Sequence, residues 1–312
     1  MPGHPAITIP ESLAVVQGKY NGAAGRVWIA ALPRIAESYL DRWDLTLDGP
    51  SRAGMAALVL PVRCADGSPA VLKLQRRDGE SEGEGSALRA WDGSGAVRLL
   101  AEDPVMATLL LERLDGDRSL IEIPDDMRAL QILVEILGRL VAHPAPRDLR
   151  RLGDIAADMV ELTPVAIVAV PDPEHRRVMS MCAAVVADLV AEPGDRLLHW
   201  DLHYENVLAG DREPWLAIDP KPLAGDPGFD LLPAIWNRWD DVVATGDIPG
   251  AVRRRFDLMV DALGLDRTRA VGWSLGRVLQ NALWNVEDGE VAIDDAQYAI
   301  AAALGDRDGR RL

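Results

Sequence analysis

Residues 197–232 read LLHWDLHYENVLAGDREPWLAIDPKPLAGDPGFDLL. Two short apolar runs, RLLHW and WLAID, flank a polar loop, and both are typical of short strands. The first run leads into the pattern H-x-D-x-x-x-x-N, formed by His199, Asp201 and Asn206, and the second ends at Asp219. Polar side chains therefore stand at the ends of two neighbouring predicted strands.

Phosphoryl transfer explains why these residue types occur together. The attacking hydroxyl must be oriented and must lose a proton, which Asp201 can accept. Magnesium on a triphosphate needs hard oxygen ligands, which Asn206 and Asp219 can supply. The alternative interpretation is that Asp201 and Asn206 form an ordinary turn and that Asp219 caps a helix. The order of the residues and the flanking strands favour the first interpretation.

A lysine in the first half of the chain could bind the phosphates of ATP. Lys73 lies in the predicted strand AVLKL, which matches the strand lysine of V-A-I-K. Its expected partner is Glu84, which opens the helical pattern of EGSALRAW, while Glu80 and Glu82 are nearby competitors. Without the downstream loop, Lys73 would be interpreted as a solvated surface charge.

The apolar periodicity predicts an α+β protein with two lobes. An N-lobe over 1–113 and a C-lobe over 114–312 are expected, with a hinge in the Asp- and Gly-rich segment at 114–117. The N-lobe is predicted to hold a helix near 32–43, strands at 45–47, 55–63 and 70–74, a helix at 82–91, and two strands within 97–114. The C-lobe is predicted to be mostly helical, with helices at 125–141, 178–189, 251–263, 267–287 and 291–304.

The amino-acid composition argues against several classes of binding partner and site. The chain has 312 residues, of which 48% are hydrophobic and 26% charged, as in ordinary globular proteins. A net charge of −16 opposes binding to nucleic acid or to an anionic membrane, and favours a cationic partner. The two cysteines argue against a disulfide framework or a zinc site. With no secretion signal and no apolar run of roughly 18 residues, a cytoplasmic location is expected; the oligomeric state stays open.

These motifs resemble those of the aminoglycoside phosphotransferase family, whose loop normally reads H-G-D-x-H-x-x-N and whose metal strand reads I-D-x. The sequence is most similar to the streptomycin and hydroxyurea phosphotransferase group within it, along 197–209, 218–241 and 253–290. The resemblance implies a bilobal protein-kinase-like fold with a small antiparallel sheet in the N-lobe. ATP and Mg²⁺ are then the expected cofactors. His199 would be a scaffold residue, and Asp230 would brace the catalytic loop.

The phosphate-covering loop departs from the protein-kinase pattern. Residues 48–55 read DGPSRAGM and contain no G-x-G-x-x-G. Ser51 and backbone amides near Gly54 could bind phosphate oxygens, or the segment could be an ordinary hairpin turn. In the resembling family, the connection after strand 107–111 binds adenine through its backbone. Glu112 and Leu114 would therefore act through main-chain atoms.

The substrate is expected to be a small cationic molecule. Its guanidinium or ammonium groups could pair with Asp240, Asp241, Glu287 and Asp288, which lie near tryptophans. The same residues could equally be exposed helix ends. The leading hypothesis is phosphorylation of a hydroxyl on a streptomycin-like aminocyclitol, conferring resistance; the alternative is a kinase of hydroxyurea or another metabolite. A non-catalytic pseudokinase is a third hypothesis, although such proteins typically lack a base or metal ligand that is present here.

Overall fold

A computed structural model describes residues 7–54, 56–79 and 81–305. The chain divides into two compact units. Unit 1 contains the residues up to Gly93 together with Val97–Asp115, and unit 2 contains Ser94–Ala96 and the residues from Gly116 onward. The predicted lobe boundary after residue 113 stays a prediction. No helix in the described ranges is long and apolar enough to cross a membrane.

Unit 1 is built on an antiparallel sheet. Its strands are β1 (Thr46–Leu47), β2 (Arg52–Ala53), β3 (Ala57–Arg63), β4 (Pro69–Gln75), β5 (Leu99–Asp103) and β6 (Thr108–Glu112). Their order is β1-β3-β4-β6-β5, with β2 also paired to β3. Two helices accompany the sheet, α1 (Glu11–Arg42) and α2 (Glu84–Trp91). The predicted small antiparallel sheet is confirmed.

One face of this sheet forms the core of unit 1 with α1. Leu58 and Leu60 of β3 and Leu72 and Leu74 of β4 are buried in the same cluster as Leu40 of α1. Because successive side chains of a strand point to opposite faces, the side chains between the β4 leucines belong to the other face. This alternation directs the amine of the β4 lysine away from the apolar core.

The helix predicted near 32–43 is much longer in the structure, which was not expected. It begins at Glu11, and only Gly22 in its middle leaves the helical conformation, with φ 52° and ψ −127°. Three glycines in this stretch lower its helix propensity. Burial of Leu13 and Leu32 in the core of unit 1 overrides that propensity, since packing contributes more to helix stability than propensity does.

Unit 2 is mostly helical, as predicted. Its helices are α3 (Asp126–Val141), α4 (Leu152–Ala169), α5 (Pro173–Leu189), α6 (Leu232–Trp236), α7 (Trp239–Ala244), α8 (Ile248–Leu263), α9 (Arg267–Glu287) and α10 (Asp295–Gly305). Short strands complete it: β7 (Asp115–Ser119, at the predicted hinge), β8 (Arg196–Leu198), β9 (Val207–Ala209), β10 (Leu216–Ala217) and β11 (Leu223–Gly225). They form one sheet in the order β10-β9-β7 and a second pair, β11-β8.

Helix α4 was missing from the predicted elements. Its second half is apolar nearly all round, reading LTPVAIVA, and Pro164 lies inside it. An amphipathic period is therefore weak, and an internal proline normally ends a helix. Buried Leu152, Ala156, Met159 and Thr163 nevertheless form a packed stripe along the helix, so tertiary contacts override the local signals.

Candidate active site

The loop between β8 and β9 is closed by hydrogen bonds among its own residues. It contains Asp201 and ends in a 3₁₀ turn over Tyr204–Asn206. The backbone N–H of Asn206 donates to the His203 carbonyl at 3.0 Å. The side-chain Nδ2 of Asn206 donates to the Asp201 carbonyl at 2.9 Å. The side-chain N–H of Asn206 is thus used for a hydrogen bond within the loop. Its Oδ1 is the atom suited to ligate a cation.

The segment that carries Asp219 is bonded directly to this loop. Strand β10 pairs with β9, with Ala217 opposite Val207. The N–H of Ile218 then donates to the Asn206 carbonyl at 2.9 Å, which brings the backbone before Asp219 against the backbone of Asn206. Asp219 itself adopts a left-handed conformation with φ 56°. Backbone strain of this kind is concentrated at functional sites in proteins.

The His199 side chain is hydrogen-bonded both to the catalytic loop and to the segment that carries Asp219. Its Nε2 lies 3.0 Å from the Ile218 carbonyl, and its Nδ1 lies 3.4 Å from the N–H of Asp201. Since a carbonyl only accepts, we assign the proton to Nε2 and the acceptor role to Nδ1. Complete burial lowers the pKa of His199 to about 3. The imidazole is therefore neutral, as expected for a scaffold residue.

Asp230 holds the start of the catalytic loop. Its carboxylate accepts the backbone N–H groups of His199 at 2.8 Å and of Trp200 at 2.5 Å. The side chain is completely buried, and this burial raises the pKa of Asp230 to about 7, although the two N–H groups favour the ionised form. The predicted bracing position of Asp230 is thus seen in its contacts.

Asp201 is a half-buried acid of this site, as is Asp219. Burial raises the pKa of the Asp201 carboxyl, whereas the positive charges of Lys221 and Arg277 and the neighbouring His203 oppose that shift. Lys221 also forms an ion pair with Asp219, with Nζ 3.2 Å from Oδ2. Sequence reasoning missed Lys221 and Arg277. The lysine directly follows I-D-P, but Arg277 is far away in the chain and no local signal marks it.

An amide oxygen and a carboxylate are the kind of oxygen donors that suit a magnesium ion. Within residues 7–54, 56–79 and 81–305, no three His, Cys, Asp or Glu side chains gather into a metal-binding group. Magnesium is usually held by one or two protein oxygens, with water and phosphate completing its shell. The Asn206 amide oxygen and the Asp219 carboxylate fit that pattern, because the hydrogen bonds described above keep them on adjacent backbone segments.

The predicted Lys73–Glu84 pair is present in unit 1. Lys73 Nζ lies 2.7 and 2.9 Å from the two carboxylate oxygens of Glu84. Gln75 donates a further bond of 2.7 Å to the same carboxylate. The side chains of Lys73 and Glu84 are only 7% and 2% exposed. Of the two competitors, Glu82 pairs with Arg77 instead.

Two of the remaining nucleotide-binding candidates, Ser51 and Glu112, have hydrogen-bond partners within unit 1. The Ser51 hydroxyl donates to the Thr8 carbonyl. The N–H of Glu112 donates to the Arg98 carbonyl at 3.0 Å, and its side chain accepts the Arg98 N–H. Leu114 is half-buried. The other competitor of Glu84 as the partner of Lys73, Glu80, lies outside the described residues.

The predicted substrate acids do not belong to the hydrogen-bonded network around Asp201. Asp240, Glu287 and Asp288 are exposed. Asp241 is half-buried and pairs with Arg238, whose Nε lies 2.6 Å from its Oδ2. These four acids stay predictions about substrate contacts.

Comparisons with known proteins identify the family. The family model "Aminoglycoside/hydroxyurea antibiotic resistance kinase" matches residues 42–289. The chain belongs to this family. It is 57% identical to streptomycin 6-kinase of Streptomyces glaucescens over 298 residues, covering 96% of this chain and 97% of the relative. It is 52% identical to hydroxyurea phosphotransferase of Kitasatospora aureofaciens over 305 residues, covering 97% and 87%.

The fold agrees with this membership. A crystal structure of a thermostable mutant of an aminoglycoside phosphotransferase superposes with a TM-score of 0.57 at 15% identity, covering 86% of this chain and 97% of that one. The predicted bilobal kinase-like fold class is confirmed. Together with the kinase relatives, it makes this family member a small-molecule kinase.

Proposed function

We propose that this kinase transfers the γ-phosphoryl group of ATP to a hydroxyl of streptomycin or a closely related aminoglycoside and thereby confers resistance. One observation carries the proposal: hydrogen bonds join Asn206 to Asp201 and to Ile218, the residue immediately before Asp219, in a chain 57% identical to a streptomycin 6-kinase. Such a resistance enzyme acts where ATP is available, in the cytoplasm.

Asp201 is proposed as the base that receives the acceptor's proton. As the hydroxyl oxygen forms a bond to the γ-phosphorus, its proton passes to the Asp201 carboxylate, and the bond from the γ-phosphorus to the bridging oxygen breaks to release ADP. Burial raises the pKa of Asp201, which makes its carboxylate a better proton acceptor than a fully solvated one.

Mg²⁺ is proposed to be held by the Asn206 amide oxygen and the Asp219 carboxylate. When bound, the ion would neutralise charge on the phosphates of ATP. The role of this chain is to keep the two ligands in register, which it does through the bond from the Ile218 N–H to the Asn206 carbonyl. Lys221 screens the negative charge of Asp219 through their ion pair.

Unit 1 is proposed to bind the rest of the nucleotide. Lys73, oriented by Glu84, would contact phosphate oxygens. The Ser51 hydroxyl would donate to a phosphate oxygen in place of the Thr8 carbonyl. Main-chain groups of Glu112 and Leu114 would bind the adenine edge. Because the Glu112 N–H already donates to Arg98, its carbonyl is the group proposed to accept from adenine.

The substrate is proposed to be cationic. Asp240, Asp241, Glu287 and Asp288 would pair with guanidinium or ammonium groups, and the net charge of −16 favours the approach of such a molecule. A second candidate substrate is hydroxyurea, which the 52% identity to a hydroxyurea phosphotransferase favours.

A side-by-side substrate assay tests the proposal. Purified protein with ATP and Mg²⁺ is given streptomycin, hydroxyurea or no acceptor, and ADP release and acceptor mass are measured. We expect ADP release and a phosphorylated product with streptomycin. Transfer to hydroxyurea alone would favour the second candidate. Normal ATP binding without transfer to any acceptor would contradict the proposal.

A further inference from the structure

The residue immediately before the proposed base has an unusual backbone conformation. Trp200 has φ 66°, in the left-handed region that bulky side chains rarely enter. Its N–H is held by the Asp230 carboxylate at 2.5 Å. A glycine would adopt this conformation without steric cost. The structure therefore keeps a large aromatic residue where the backbone favours glycine.

The indole of Trp200 is fixed by charged and aromatic neighbours within unit 2. Its ring centroid lies 4.7 Å from the guanidinium carbon of Arg150 and 5.1 Å from that of Arg277. The ring of Trp284, on α9, lies 5.9 Å away at a tilt of 52°. Arg277 also lies 5.2 Å from the Trp284 ring and 5.8 Å from that of Phe229. The guanidinium of Arg277 thus contacts three rings at once.

Two features of Trp200 are unfavourable for the stability of the folded protein. Trp200 is 2% exposed, and its indole N–H finds no hydrogen-bond acceptor among the described residues. A buried donor without an acceptor is unfavourable, as is the left-handed backbone. An apolar side chain could fill similar space without the first cost. Two unfavourable features at one residue beside a reacting group indicate a functional constraint.

We propose that Trp200, held by Arg277 and Trp284, is a positioning residue that fixes the direction in which Asp201 leaves the loop. The inference deepens the proposed function and rests on Asp201 being its base. With the indole anchored, rotation of the backbone at residue 200 would pull a buried ring away from two cationic contacts. The carboxylate one residue later is thereby kept in a single orientation for the acceptor hydroxyl.

Three single variants, the double variant Trp200→Gly/Arg277→Met and one control test this inference. Trp200→Phe keeps an aromatic ring in the cluster, Trp200→Gly removes the anchor while permitting φ 66°, and Arg277→Met removes the guanidinium. The control is Phe256→Ala, which removes another fully buried ring, located on α8 and outside this cluster. All are assayed for kcat, for the KM of the acceptor that wild type accepts, and for ATP affinity, at a temperature where circular dichroism shows each folded.

We expect Trp200→Gly to lower kcat by about 100-fold, the effect of a misplaced catalytic group, while ATP affinity changes by less than about twofold. Trp200→Phe should retain kcat within about threefold. Arg277→Met should lower kcat about tenfold alone but by less than about threefold in the Trp200→Gly background, because the two residues act as one unit. Phe256→Ala should leave kcat within about threefold.

The opposite results would overturn the inference without touching the proposed function. If wild type transfers phosphate and Trp200→Gly retains kcat to the same extent as Phe256→Ala, Trp200 is only a packing residue. Equal losses in Trp200→Phe and Trp200→Gly would have the same meaning. If Trp200→Gly does not fold, an unchanged kcat in Arg277→Met overturns the inference on its own. A wild-type protein that binds ATP but transfers no phosphate would instead contradict the proposed function.

Discussion

Neutralising Glu84 should destabilise unit 1 strongly. The Glu84 carboxylate accepts bonds of 2.7 and 2.9 Å from Lys73 and one of 2.7 Å from Gln75, and its side chain is 2% exposed. In Glu84→Gln the charge disappears, and the new amide group turns a donor toward either Lys73 or Gln75. Removing one partner of a buried ion pair typically costs about 3–5 kcal/mol.

Urea denaturation followed by far-ultraviolet circular dichroism measures this loss. With a slope of about 2–3 kcal/mol per molar urea, the midpoint for unit 1 should fall by roughly 1–2.5 M. Glu82→Gln is the matched control, since its ion pair with Arg77 is 53% and 61% exposed and should contribute less than about 1 kcal/mol. In a cycle with Lys73→Met, the double variant should lose less stability than the sum of the singles. Equal midpoint shifts for Glu84→Gln and Glu82→Gln would refute the reasoning.

Three further predictions concern unit 2 and the cysteines. Burial raises the pKa of Cys182 to about 12. Iodoacetamide at pH 8 should therefore label only the half-buried Cys64 in native protein and both thiols after denaturation, as measured by mass spectrometry. Labelling of Cys182 in native protein would contradict this prediction. The folded state keeps His199 neutral down to a pKa of about 3, whereas an unfolded histidine gains a proton below about 6.5. His199 thus contributes stability above pH 6.5 that is lost toward pH 3, and the destabilisation by His199→Asn in urea should be about 2 kcal/mol smaller at pH 5 than at pH 7; a pH-independent difference would contradict it. Arg255→Met should lower the free energy of unfolding by about 3–5 kcal/mol, because the Arg255 guanidinium is buried in an ion pair. Arg254→Gln removes an exposed ion pair and should lower it by less than about 1 kcal/mol in the same denaturation assay. Similar losses in the two variants would contradict the reasoning from burial.

The helices and strands whose apolar residues recur at a clear spacing were predictable from the sequence. Strands β3 and β4 were predicted to within two residues because apolar runs bounded by Gly, Pro and Asp define short strands. Helices α3 and α9 have strong amphipathic patterns with aspartate N-caps at Asp125 and Asp266. The first two-thirds of α1 and the whole of α4 were missed, because glycines and an internal proline obscure helices that tertiary packing stabilises.

The residues of the candidate site were predictable, but much of their environment was not. Asp201, Asn206 and Asp219 stand in a short motif, and strand order predicts their closeness. The cluster around Trp200 was not predictable, because Arg150 and Arg277 are far from it in the chain and a left-handed tryptophan has no sequence signature. Motif reading identifies which groups can react, whereas orientation and charge balance depend on long-range packing.

The most direct test of the proposed chemistry compares Asp201→Ala with the wild-type protein in one experiment that measures both ATP affinity and phosphorylation of streptomycin. Asp201→Ala should bind ATP with an affinity within about twofold of wild type and should lose transfer by a factor of at least about 100, the usual contribution of a catalytic base. A variant that still phosphorylates streptomycin at near the wild-type rate would show that Asp201 is not the base and would contradict the account.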